Sequence, residues 1–447
     1  MNIQKYRILA LLFLFMYFSI YLDDISPVPG IIDPYSNRNN SLQMSTSGTA
    51  DWYRTWGGSG YEYCSDIIID DSGDIYIAGS TNSFGNGSYD MFLIKYNSSG
   101  SILFNKTWGT IHYDFCNAMD LDSYGNIYLV GMTEKGGVNN DMCLIKFDNN
   151  GNLEWNKTWG DTGDESCYDI VIDDSDDIYL AGETNSFGAG GDDMCLVKFD
   201  DTGNYLWNKT WGGTNSDRCF ALGINIYDEI CLAGFTRSFG DPVYGDIAIV
   251  KYLWSEVYDW ERIWAGNESD NCGSLITDAL GNIILGGATR SYGNGGLDAL
   301  VIKYGRSGDQ MWNFTWGTTG SEFCTDITID SSDYLYITGG TISDIGYAEI
   351  FVMKIGYLGE ALWHCTWGLD YDDIGSAIAL DSSDNIYVGG QTELSSGGET
   401  DILLVKNPKS VVTDGIAGYE IFLLNIIIIM TLVIIIFKRH FSKKRFN

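Results

Sequence analysis

Apolar and polar positions alternate along most of this chain in short runs, each closed by a cluster of Gly, Asp, Asn or Ser. The stretch from Thr158 to Lys209 shows the pattern most cleanly. CYDIVID (Cys167 to Asp173) runs into a DDSDD turn, and DIYLAGET (Asp177 to Thr184) leads into a loop rich in Gly, Asp and Asn. DMCLVKFD (Asp193 to Asp200), a DDTGN turn and YLWNKTWG (Tyr205 to Gly212) complete the unit. Val, Ile, Tyr and Trp between such punctuation predict four β-strands, and no apolar spacing in the unit has the helical period.

The unit returns seven times. Its motif Trp stands at Trp56, Trp108, Trp159, Trp211, Trp264, Trp316 and Trp367, at intervals of 51 to 53 residues. So regular a period is a repeat architecture, and four strands in about 50 residues form the blade of a β-propeller. The spacing predicts an all-β, seven-bladed propeller of four-stranded blades over residues 50–407. It also predicts the closure. The last repeat ends at ILLVK (Ile402 to Lys406) without a fourth strand, while DWYRTWG (Asp51 to Gly57) is a fourth strand with no blade before it. Pairing the two makes the N-terminal strand the outer edge of blade seven and removes a free edge. An open solenoid would leave both halves unpaired.

Positions present in every copy serve the blade first. Thirteen of the 14 Trp fall in the fourth strand, twelve of them in pairs four residues apart that share a face and Trp108 with Phe104 in the same relation, which suits packing between blades. An acid and a Lys recur five apart in the third strand, as Asp90/Lys95 and Asp193/Lys198, and so point to opposite faces. Asp70, Asp122, Asp173, Asp278, Asp330 and Asp381 start turns. Six residues after each motif Trp stands another acid: Glu62, Asp114, Glu165, Asp217, Asp270, Glu322 and Asp373. These open the first strand and are expected at the mouth of a central channel. There they either cap backbone N–H groups where blades meet or gather a cationic group, with Ca²⁺ the ion that oxygen ligands suit. Ten Cys, with no Cys-x-x-Cys and only three His, read as small buried thiols and argue against a zinc site.

Function more often resides where copies diverge. Four blades share an aromatic in the loop between strands two and three, at Phe84, Phe187, Phe239 and Tyr292, with Arg237 and Arg290 beside two of them. They either form an arc that touches a ligand or fold back as loop plugs.

The two ends change the picture. Lys5 and Arg7 precede 15 apolar or nearly apolar residues, Ile8 to Leu22, which predicts a signal peptide or N-terminal anchor over 1–22. Residues 23–49, with three of the five prolines, read as a flexible lead-in. After a short stalk at 408–416, residues 417–437 are apolar enough to cross a bilayer, and 438–447 carry five bases and no acid. The positive-inside rule places that tail in the cytoplasm and the propeller outside the cell. Setting aside the seven bases at the ends leaves 19 bases against 60 acids, a net of −41. So acidic a body excludes nucleic acid as a partner and favours a soluble, monomeric ectodomain or cationic ligands. Eight Asn-X-Ser/Thr sequons, at Asn39, Asn86, Asn97, Asn105, Asn156, Asn208, Asn267 and Asn313, are candidate glycosylation sites of an exported chain.

At the patterns D-x-x-G-N-I-Y-x-x-G, D-x-x-x-x-K and W-x-x-T-W-G the repeat resembles the SBBP family of β-propeller repeats and, less closely, NHL repeats. The resemblance covers residues 50–407 and implies a fold without a single activity. GIAGY, the apolar span and the basic tail resemble the C-terminal sorting signals of archaeal surface proteins, with Ala417 where those carry proline. That resemblance implies a protease-transpeptidase that exchanges the helix for a lipid. The expected function is a non-enzymatic surface module, without a cofactor, that binds a glycan or another surface protein. The alternative is an extracellular polysaccharide hydrolase or lyase working in the central funnel.

Overall fold

The structure is a computed structural model that describes residues 50–342, 347–369, 372–393 and 399–407. The expected leader, lead-in, stalk, C-terminal span and tail, together with Asn39, lie outside the described residues. Among the described residues no helix is long and apolar enough to cross a membrane.

Among the described residues twenty-eight strands form seven four-stranded antiparallel sheets. In the first blade these are Glu62–Ile69, Ile75–Thr81, Asp90–Tyr96 and Ile102–Trp108, numbered one to four from the channel outward. Each first strand contacts the first strands of both neighbouring blades, and the seventh returns to the first, so the ring is closed. Trp52–Trp56 pairs antiparallel with Thr400–Asn407, from Trp52 opposite Lys406 to Trp56 opposite Ile402. The predicted closure by the N-terminal strand is the one observed.

The burial of each strand follows its place in the blade. Second strands such as Ile75–Thr81 are buried at every position because a neighbouring blade covers each face. Their continuous apolar run, rather than an alternating one, is the sequence sign of that placement. Fourth strands alternate, exposed against half-buried, as an outer edge must. Seven apolar clusters fill the seven interfaces between blades. One joins Trp52, Trp56, Tyr387 and Leu404 of the closing blade to Ile67, Ile77 and Phe92 of the first. The Trp pairs pack there, as expected.

The ten cysteines are buried and unpaired. Burial pushes their thiols up, to about 12 for Cys231 and Cys272. The third-strand Lys does not meet the acid five residues before it. In blades one, two, five and six it crosses to the turn Asp of the first hairpin, as in Lys303 to Asp278 at 2.8 Å and Lys354 to Asp330 at 3.2 Å. That Asp also accepts the turn's own N–H groups, Asp278 those of Leu280 and Asn282, and so anchors each hairpin on the turn face of the ring.

Each first strand carries a β-bulge at the same place, between Cys64 and Asp66 in blade one and between Cys167 and Asp169 in blade three. The second strand answers each bulge with a glycine. A Cβ on Gly182 would lie 1.9 Å from the Ser166 carbonyl oxygen, so only glycine admits that approach.

Candidate functional site

The acid that opens each first strand is sealed between blades: Glu62, Asp114, Glu165, Asp217, Asp270, Glu322 and Asp373 expose none of their surface. The expectation that they stand at the mouth of the channel is corrected by this placement. The physical reason is the loop after the motif Trp, whose N–H groups the carboxylate turns back to satisfy. Gly58, Thr110, Asp161, Gly213, Thr318 and Leu369, each four residues earlier, donate to it. On the other side a second-strand Thr donates its hydroxyl, as Thr81 does to Glu62 and Thr184 to Glu165. Among the described residues no group of three or more His, Cys, Asp or Glu side chains is placed to hold a metal ion.

The loop aromatics fold back. Phe84 lies 4.9 Å from Trp56, Phe187 5.2 Å from Trp159, Phe239 4.9 Å from Trp211 and Tyr292 5.0 Å from Trp264, centroid to centroid. Each caps the motif Trp of the preceding blade while keeping part of its ring in solvent, so the four are separate plugs and not one platform. Arg237 and Arg290 are exposed, and Arg237 stacks on Phe235. Asn86, Asn105, Asn156, Asn267 and Asn313 are exposed and Asn97 and Asn208 half-buried, with Asn105, Asn156, Asn208 and Asn313 on outer strands.

Four aspartates of the channel wall escaped the sequence reading. Asp66, Asp169 and Asp326 stand two residues after a first-strand Cys, where other blades carry Ala118, Ala221, Ser274 or Ala377. An acid in three copies of an otherwise small position was the available signal. Asp120 joins them from blade two. Each carboxylate accepts the N–H of a residue on the next first strand: Met119 for Asp66, Ile172 for Asp120, Leu222 for Asp169 and Ile378 for Asp326. The other oxygen takes the N–H of the following residue, as Ile67 gives to Asp66 and Ile170 to Asp169. These side chains satisfy a strand edge that no sheet neighbour pairs.

All four are half-buried. Burial, the largest cause, pushes Asp120 and Asp326 up to about 6, Asp169 to about 7, and Asp66 well above the carboxylate range. For Asp66 and Asp169 the charges of the other channel aspartates add to it. Folded pKa values above the unfolded value of about 3.9 favour the protonated, folded state at low pH. That stability is full below about pH 4 and is lost as pH rises through 6 to 7. The thermal midpoint is therefore expected to fall between pH 5 and pH 8, and Asp169→Asn to reduce the fall. A wild-type midpoint that rises over the same range would contradict this.

On the long-loop face five rings form one row. Tyr61 and Tyr63 lie 6.4 Å apart at 9°, Tyr63 and Tyr89 6.0 Å at 30°, Tyr89 and Phe115 4.8 Å at 26°, and Phe115 and Tyr113 6.1 Å at 4°. Blades one and two hold the row between them. Tyr61 and Tyr113 end the loops that enter their first strands, Tyr63 and Phe115 follow within those strands, and Tyr89 closes the intervening loop. Tyr63 and Tyr113 keep 36% and 46% of their surface exposed. Burial and then the Tyr63 phenol push Tyr89 up to about 12. These residues have no sevenfold counterpart, which is why counting repeats passed over them.

The opposite face has a cavity of about 630 Å³ beside Glu229, Lys251 and Arg306. Its charges are spent on one another: Arg306 and Lys251 both reach Glu229 at 2.8 Å.

Residues 52–86 and 355–393 match the beta-propeller repeat family SBBP, and residues 72–102 match a beta-propeller domain of unknown function. An uncharacterized WD repeat-containing protein of Acanthamoeba polyphaga mimivirus is 21% identical over 66% of this chain. The chain spans only 22% of that protein's length. A solved protein of unknown function from Dyadobacter fermentans superposes with a TM-score of 0.50 at 10% identity, over 81% of this chain and 100% of its own. A gluconolactonase from Xanthomonas campestris gives 0.38 at 10% identity, over 64% of this chain and 87% of its own. At such identities the likeness to solved structures speaks to the fold alone, and the fold is the β-propeller.

Proposed function

We propose that this chain of β-propeller repeats is a non-enzymatic binding module, displayed outside the membrane on its C-terminal apolar segment and engaging a glycan through its long-loop face. The row from Tyr61 to Tyr113 carries this reading. Stacked rings with phenol tips offer a sugar both an apolar surface for its C–H face and partners for its hydroxyls. Exposed sequons on outer strands, Asn105, Asn156 and Asn313, favour an exported and glycosylated chain. The alternative of a hydrolase or lyase in the channel has less behind it. A carboxylate pair that cleaves sugars must be open to substrate, whereas the channel aspartates spend their oxygens on backbone N–H groups.

A glycan array probed with the full chain, with a turnover screen in parallel, tests the reading. Tyr63→Ala and Tyr113→Ala are each expected to weaken the best glycan about tenfold, the worth of one ring contact of roughly 1.4 kcal/mol, with unchanged thermal midpoint. Turnover that Asp169→Asn or Asp326→Asn abolishes would overturn it in favour of the enzyme.

A further inference from the structure

At several interfaces the third-strand acid of one blade and the first-strand acid of the next converge over the glycine that follows the motif Trp. A Cβ built on Gly57 would lie 1.9 Å from Asp401 Oδ1 and 2.5 Å from Glu62 Oε2, which puts the two oxygens within about 4.4 Å. On Gly212 the same position is 1.9 Å from Asp193 Oδ1 and 2.9 Å from Asp217 Oδ2, and on Gly317 it is 2.0 Å from Asp298 Oδ1 and 3.0 Å from Glu322 Oε2. The glycine of the motif leaves this space open, and carboxylates enter it from two blades.

Hydrogen-bond donors reach both members of a pair. Asp193 Oδ2 accepts the N–H groups of Ala189 and Gly190, while Asp217 accepts those of Gly213 and Ser238 and the Thr236 hydroxyl. All five partners are donors, which favours the ionised form. Asp193 is 1% exposed and its Oδ1, aimed into the shared space, has no hydrogen-bond partner; Oδ1 of Asp90, also 1% exposed, is likewise unpartnered. Among the described residues no Lys or Arg pairs with Asp193, Asp217, Asp298 or Glu322. Burial and then the Asp217 charge work against the ionised Asp193, with only the backbone donors opposing them. One interface supplies its own remedy: Lys135 reaches Asp141 Oδ2 at 3.0 Å beside Glu165. Among the described residues the Asp193–Asp217 and Asp298–Glu322 interfaces have no such Lys.

We infer that interfaces between blades without such a Lys are cation sites, with a divalent ion of the Ca²⁺ class held between the third-strand carboxylate of one blade and the first-strand carboxylate of the next, as at Asp193 and Asp217, Asp298 and Glu322, and Asp401 and Glu62. Calcium–oxygen bonds of roughly 2.3–2.6 Å span oxygens at this separation. Two carboxylates fill only part of a shell of roughly six to eight oxygens, the rest falling to loop carbonyls and water. An all-oxygen site suits a hard cation and not zinc. The Asp193–Asp217 and Asp298–Glu322 pairs belong to blades other than the two that hold the aromatic row, so at these interfaces the inference stands independently of the glycan reading.

The test uses the full chain, stripped with a chelator and titrated with CaCl2, read by bound calcium per chain and by thermal midpoint. More than one calcium per chain and a rise in midpoint of about 5 °C or more at millimolar Ca²⁺ are expected, with Mg²⁺ less effective. Asp193→Asn is expected to remove one calcium while the circular dichroism spectrum stays that of the wild type. Asp298→Asn, at another interface, serves the same purpose if the first variant fails to fold. No retained calcium and no calcium-dependent shift would overturn the proposal, and Asn variants that raise the midpoint at pH 8 without calcium would assign each pair a shared proton instead.

Discussion

Deleting residues 51–57 is expected to abolish the cooperative unfolding transition of the propeller. That segment supplies the fourth strand of blade seven and buries Trp52 and Trp56 against the closing interface. A fully buried Trp is worth about 3–5 kcal/mol and these two half-buried ones a part of that each, against a domain's whole stability of about 5–15 kcal/mol. The deletion also leaves Ile402, Leu403 and Leu404 on a bare strand edge, which invites pairing between chains. Circular dichroism melts and size-exclusion chromatography should show a broadened, lowered transition and larger species. A peptide of residues 51–57 added in excess should restore the melt. A deletion variant that melts like the wild type would mean that the ring does not depend on its closing strand.

Gly182→Ala is expected to cost about 3 kcal/mol or more, lowering the midpoint by about 5–10 °C. Its added Cβ would meet the Ser166 carbonyl oxygen at 1.9 Å, and that oxygen belongs to the bulged first strand, which cannot swing aside as a side chain would. The same clash recurs at Gly131 with Phe115 and at Gly339 with Phe323, each at 1.8 Å, so the site reports a requirement of every blade. Gly125→Ala is the control. Its φ is +75° and nothing stands within 4 Å, so only the left-handed backbone term of about 1 kcal/mol applies. Equal losses in the two variants would show that crowding at the bulge is not what demands glycine.

The blade was legible because its determinants repeat. Apolar run, turn Asp and motif Trp recur with one spacing, and the orphan strand at DWYRTWG had only one unpaired partner to meet. The site was less legible for the same reason inverted. Rings such as Tyr63, Tyr89 and Phe115 come together from separate loops and strands of two blades, and no spacing along the chain announces that meeting. The carboxylate of Glu165 was visible as a repeated acid, but whether it faced lumen or loop depended on where the Asp161 N–H would point. Phe187 was visible too, and its choice between solvent and Trp159 was a matter of loop conformation.

The ten buried, unpaired thiols bear on how this protein can be made. A ring closed by strand pairing and interface packing holds no cystine, so its folding needs no oxidising compartment and no disulfide exchange. Thiols held protonated by burial are also poor targets for oxidants. A reducing cytosol is therefore as suitable a place to produce residues 50–407 as a secretory route, and adding or omitting a reductant should leave the melting curve unchanged.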